Sequence, residues 1–124
     1  MNYYNEIKNI LMDNAIGRKV REYKSNQKDL ESYYNVGKLL VEAQGGEEKA
    51  KYSNELMKEY SKKLTNELGK GYSVRMLQKM RQFYLLTQKS PPLAAQFKNI
   101  NMTWSNVCEI IKKYSHYFTK KYFT

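Results

Sequence analysis

Acidic residues are absent from a long central stretch of this 124-residue chain. No Asp or Glu lies between Glu67 and Glu109, although six Lys and Arg residues fall in that interval. Residues 1–67 carry 12 basic and 11 acidic side chains, whereas residues 68–124 carry 10 basic and one acidic, a net charge of +9. The alternatives are a solubilising basic face and the lysine bias of an A/T-rich genome, but genome bias does not explain the missing acids. The second half therefore predicts a polyanionic partner, above all nucleic acid, bound with strong salt dependence.

The chain is also poor in cysteine, histidine and proline. Cys108 is the only cysteine and His116 the only histidine, which excludes an internal disulfide and a conventional zinc cluster. Pro91 and Pro92 are the only prolines, and a helix that reaches them is expected to stop there. No apolar run approaches the roughly 18 residues of a membrane span, and no signal-like segment opens the chain. We expect a soluble cytoplasmic protein with no membrane partner.

The composition supports one compact domain. Apolar residues make up 41% of the chain and aromatic residues 14%, which is enough to build one hydrophobic core at this length but not two. We therefore do not expect global disorder.

Apolar residues recur every three or four positions through most of the chain, which predicts an all-α fold of about five helices. The predicted helices run from Asn2 to about Tyr23, from a cap at Ser25 or Asn26 to Ala43, from Glu47 to Leu68, from Val74, after a cap at Ser73, to about Thr87, and from a cap at Thr103 onward. Gly17, Gly45-Gly46 and Gly69-Lys70-Gly71 are the predicted breaks. A looser segment is expected between Pro92 and Thr103, with a short hairpin between residues 96 and 104 as an alternative.

Three functional parts follow from this pattern. Residues 1–69 form the predicted helical scaffold, residues 70–111 the candidate nucleic-acid-binding part, and residues 112–124 a basic aromatic tail. The tail interleaves lysines with rings, which can stack on unpaired bases. The other explanation, which we favour, is that the rings pack on the core and the lysines are solvated.

The third and fourth predicted helices, joined by a glycine-containing turn, have the arrangement of a helix-turn-helix. In that motif the second helix enters the major groove, where Arg and Gln read bases and Lys binds phosphates. Leu77, Met80 and Tyr84 are the predicted inward stripe of this helix. An ordinary helical hairpin with a polar outer face is the alternative. The candidate nucleic-acid-binding residues are Lys70, Tyr72, Ser73, Arg75, Gln78, Lys79, Arg81, Gln82, Lys112 and Lys113.

Catalytic patterns are nearly absent. The turn at residues 69–71 lacks the spacing of a phosphate-binding loop. The Glu-x-Lys spacings that begin at Glu6 and Glu47 lie in predicted helices without an upstream Pro-Asp pair. We therefore expect no catalytic residue, no metal, no cofactor and no enzymatic activity.

Several segments together carry a family resemblance. They are Tyr34 to Gly46, Tyr52 to Leu56, Leu64 to Ser73, Leu77 to Tyr84 and Thr103 to Ser105. In this order and spacing they resemble the N-terminal domain of the YhcG-type proteins, the DUF1016 family. The resemblance implies a helical DNA-binding domain, which in typical members precedes a PD-(D/E)xK nuclease domain, often in a mobile-element or defence-related gene neighbourhood.

This chain departs from the family plan in two ways. It stops about 20 residues after Ser105, so we expect a free-standing binding domain without the nuclease, and no activity carries over. Asn106-Val107 also stands where the family usually has a His-Tyr pair. The expected function is non-catalytic binding of nucleic acid, with DNA favoured over RNA. The alternative is a protein-binding adaptor or inhibitor that docks on a partner nuclease or on a host defence complex of the CRISPR type.

Overall fold

The computed structural model describes residues 3–46 and 55–114, and every regular element in these ranges is an α-helix. The helices are α1 (Tyr3–Ala43), α2 (Glu55–Leu68), α3 (Val74–Lys89), α4 (Pro91–Phe97) and α5 (Trp104–Lys113). The predicted all-α single domain is thus confirmed. The expected helix start at Glu47 and most of the aromatic tail, including His116, lie outside the described residues.

Helix α1 is longer than the sequence predicts. It passes without interruption through Gly17, Ser25 and Asn26, so the expected division into two helices is wrong. One interior glycine costs only about 1 kcal/mol, and each further residue of a nucleated helix still gains a hydrogen bond. The predicted end is confirmed: Gly45 and Gly46 have φ of +90° and +99°, and the Gly46 amide donates to the Val41 carbonyl at 2.9 Å. This is the glycine cap that satisfies the last carbonyls of a helix.

Helix α3 lies at the centre of the fold and contacts all four of the other helices. Its crossing with α1 is very close at Gly37, where an added Cβ would lie 2.1 Å from the Met80 carbonyl oxygen. Two groups of buried side chains surround this crossing. One holds Met57 of α2 with Leu40, Leu77 and Met80, and the other holds Leu30, Phe83, Phe97 and Val107 among its members.

Helix α4 corrects the expectation for residues 91–103. Pro91 and Pro92 do end α3, but they also begin a new helix, with the Ser90 hydroxyl accepting a hydrogen bond from the Leu93 amide. Proline suits the first turn because the amides there have no intrahelical acceptor. Phe97 of this helix packs edge-on against Phe83, with ring centroids 4.9 Å apart. No hairpin forms between residues 96 and 104, all of which are described.

The first part of α1 carries apolar side chains that the rest of the described domain does not cover. No α1 residue before Leu30 is buried. Ile7, Ile10 and Leu11 expose 56%, 62% and 61% of their surface. The three-and-four spacing therefore identified a helix correctly, but this face does not belong to the core. In α2 the apolar Leu68 is likewise 64% exposed, whereas Met57 is fully buried.

The uncovered first part of α1 and its buried second part predict uneven stability along this helix. Helices gain most of their stability from packing rather than propensity, so amides of residues 5–20 should exchange with solvent about a hundredfold faster than those of residues 33–43. Hydrogen exchange read by NMR or mass spectrometry measures the ratio. Equal protection at both ends would show that the first turns of α1 are covered in solution.

Candidate nucleic-acid interface

The turn between α2 and α3 is shaped by two glycines. Gly69 and Gly71 have φ of +97° and +110°, a backbone region that glycine enters without steric cost. The Ser61 hydroxyl donates to the Tyr72 carbonyl at 2.7 Å, which ties the turn back to α2. The Ser73 hydroxyl accepts from the Met76 amide at 3.1 Å and caps α3, as predicted. Lys70 and Ser73 are exposed and Tyr72 is half-buried.

Helix α3 buries the face that begins with Leu77 and Met80, as predicted. Phe83, at 4% exposure, continues this face more deeply than the expected Tyr84, which is half-buried and packs on Tyr34 with ring centroids 5.2 Å apart. Arg75 lies on the opposite side and is exposed. The predicted separation of two faces is therefore correct, with the buried face broader than expected.

Arg81 is on the buried face, and its prediction as a nucleic-acid contact is wrong. Only 2% of its surface is exposed, and its Nη1 donates to Oε1 of Gln44 at 3.1 Å. Burial lowers the pKa of its guanidinium. The position follows from helix geometry, since Arg81 is four residues after Leu77 and four before Leu85, and both are buried. Arg81 thus joins α3 to the end of α1.

The start of helix α5 is stabilised by a capping box formed by Thr103 and Asn106. The Asn106 amide donates to the Thr103 hydroxyl at 3.2 Å, and the Thr103 amide donates back to Oδ1 of Asn106 at 3.1 Å. Val107, the next residue, is fully buried. The pair that departs from the family pattern therefore caps this helix and anchors it in the core.

Helices α3 and α5 together form a furrow with a volume of about 410 Å³. We call it the α3–α5 furrow. It is lined by Arg75, Gln78, Lys79, Gln82, Cys108, Glu109, Ile111 and Lys112. Five of the ten predicted binding residues thus meet in one place, although α3 and α5 are separated by α4 in the sequence. Lys113 is exposed next to Lys112. The residues of the turn, Lys70, Tyr72 and Ser73, do not line the furrow.

The electrostatics of the furrow are basic with one exception. Arg75, Lys79 and Lys112 contribute three positive charges, and Glu109 contributes one negative charge. Burial raises the pKa of the Cys108 thiol, the positive charge of Lys79 opposes that rise, and Glu109 adds to it. The thiol is therefore protonated at neutral pH and does not add to the negative charge.

Three lining residues, Cys108, Glu109 and Ile111, were not predicted as part of the site. Their spacing showed that they share a helix, but no local pattern indicates that this helix lies beside α3. Within the described ranges, no group of three or more His, Cys, Asp or Glu side chains is placed to hold a metal ion. Glu6 is exposed on α1, and Glu47 lies outside the described residues.

The sequence matches the DUF1016 N-terminal domain over residues 7–124. The chain therefore belongs to this family, as its sequence segments indicated. No curated protein and no solved structure matches it. None of the helices in the described ranges combines the length and the apolarity that a bilayer crossing requires.

Proposed function

We propose that this domain is a non-catalytic nucleic-acid-binding module that favours DNA and uses the α3–α5 furrow. The observation that carries the proposal is the convergence of Arg75, Lys79 and Lys112 from two helices onto one furrow. Cations gathered on one surface bind phosphates and release condensed counterions. Lys70, in the turn before α3, and Lys113, next to Lys112, are also exposed and add positive charge outside the furrow.

The proposal predicts a steep salt dependence for binding to duplex DNA. Log affinity against log salt should fall with a slope of about −3 to −5, because each neutralised phosphate contributes about −0.9. Arg75→Gln or Lys112→Gln should each reduce that slope by about 1 and weaken binding at low salt. Lys58→Gln is the matched control, since it removes the same charge from α2, where Lys58 is exposed and pairs with Glu55. Fluorescence anisotropy with a labelled duplex measures all four proteins.

The only cysteine reports independently on the location of the bound duplex. Cys108 lines the furrow, so DNA should slow its alkylation by iodoacetamide. The assay belongs at mildly alkaline pH, because the raised pKa of the thiol lowers the fraction of reactive thiolate at neutral pH. Binding without protection of Cys108 would move the site elsewhere, and no binding at low salt would favour the adaptor role instead.

We also expect that the purified protein does not cut DNA or RNA in the presence of magnesium or manganese. Metal-dependent hydrolysis requires clustered carboxylates that hold the metal and position water. In the furrow Glu109 is the only acidic side chain. A gel assay with both metals tests this expectation. Cleavage that is lost in Glu6→Gln, Glu47→Gln or Glu109→Gln would contradict it, whereas cleavage that all three variants retain would indicate a contaminating nuclease.

A further inference from the structure

The flanks of helix α3 decide how a duplex can approach it. A recognition helix must project from its domain so that it can enter a major groove about 12 Å wide. In this domain α5 lies beside the polar face of α3. Ile111 and Cys108 of α5 line the same furrow as Gln82.

The width of the two helices excludes deep entry into the groove. One α-helix with its side chains is about 10–12 Å across, and two packed helices have axes about 8–10 Å apart. The paired α3 and α5 therefore present a surface close to 20 Å wide. A major groove of about 12 Å admits one helix but not this pair.

The two glutamines of the furrow are less accessible than two of its cations. The side chains best suited to read adenine, Gln78 and Gln82, are half-buried along the furrow. Arg75 in the first turn of α3 and Lys112 in the last turn of α5 are exposed, whereas the third cation of the furrow, Lys79, is half-buried. The two exposed cations are therefore accessible to the phosphates of a duplex that lies across the furrow.

We propose that the α3–α5 furrow binds the sugar-phosphate backbone of duplex DNA and reads no base sequence. This inference rests on the proposed function and specifies its substrate. Phosphate contacts fix the position of a protein on DNA without carrying sequence information. Affinity is then set by charge, with Glu109 opposing the three cations of the furrow.

The test compares the full chain on A/T-rich, G/C-rich and mixed duplexes of equal length, together with a selection from a random duplex library. The three affinities should agree within about threefold, whereas base-reading proteins lose about 5- to 150-fold in affinity per mismatched pair. The selection should enrich no common sequence. Arg75→Gln and Lys112→Gln should lower affinity for all three duplexes by the same factor, and Glu109→Gln should raise all three alike. Lys58→Gln should change none of them, and thermal melting confirms that each variant is folded.

The outcomes separate this inference from the function on which it rests. An enriched sequence whose preference disappears in Gln82→Ala would overturn backbone-only binding and leave DNA binding intact. Tighter binding to single strands than to duplexes would also overturn it, because stacked bases would then contribute. Absence of binding to every duplex at low salt would overturn the proposed function itself.

Discussion

Replacing Gly37 with alanine is expected to destabilise the domain by at least about 3 kcal/mol, the upper range for overpacking in a core. The added Cβ would lie 2.1 Å from the Met80 carbonyl oxygen and 2.8 Å from its carbonyl carbon. Both are backbone atoms in the middle of α3, so they cannot move aside as the end of a side chain can. The two central helices would have to separate, and the core around Leu40 and Phe83 would open. Urea denaturation followed by circular dichroism measures the loss.

Gly17 provides the matched control in the same helix. An added Cβ there would lie 3.3 Å from Nη1 of Arg21, the mobile end of a long side chain. Gly17→Ala should therefore stabilise α1 by about 0.5–1 kcal/mol through reduced backbone entropy alone. If the substitutions at Gly37 and Gly17 have equal effects, the close crossing of α1 and α3 is wrong.

Replacing Arg81 with alanine is expected to cost about 2–4 kcal/mol of stability, as for other large buried side chains. The truncation leaves a cavity next to α1 and removes the hydrogen bond to Gln44, which holds the end of that helix. Arg81→Lys should also be less stable than the unchanged protein, because a lysine lacks the planar, branched guanidinium. Thermal and urea unfolding measure both variants.

Arg75→Ala, six residues earlier on the same helix, is the comparison. Arg75 is exposed, so its removal should change stability by less than about 0.5 kcal/mol while weakening DNA binding. The opposite result, with Arg81→Ala stable and Arg75→Ala unfolded, would show that the rotation of α3 has been assigned incorrectly.

Helix ends were the part of this fold most open to prediction, because their chemistry is local. The Ser73 cap, the Thr103 cap and the Gly45-Gly46 terminus each depend on residues within one turn of the boundary. The errors arose where one local pattern fits two structures. Pro91-Pro92 ends a helix and can also begin one, and Ser25 caps a helix only where the preceding chain leaves the helical path.

The sequence alone determined the helical class, the family and the uneven charge, since each depends only on the order and type of residues. It did not determine which cations face solvent. Arg75 and Arg81 belong to one helix, yet one is exposed and the other is 2% exposed. That difference exists because α1 packs on one side of α3 and α5 lies along another. Such packing joins residues that are far apart in the chain, so only the tertiary structure placed Lys112 and Glu109 in a furrow with Arg75.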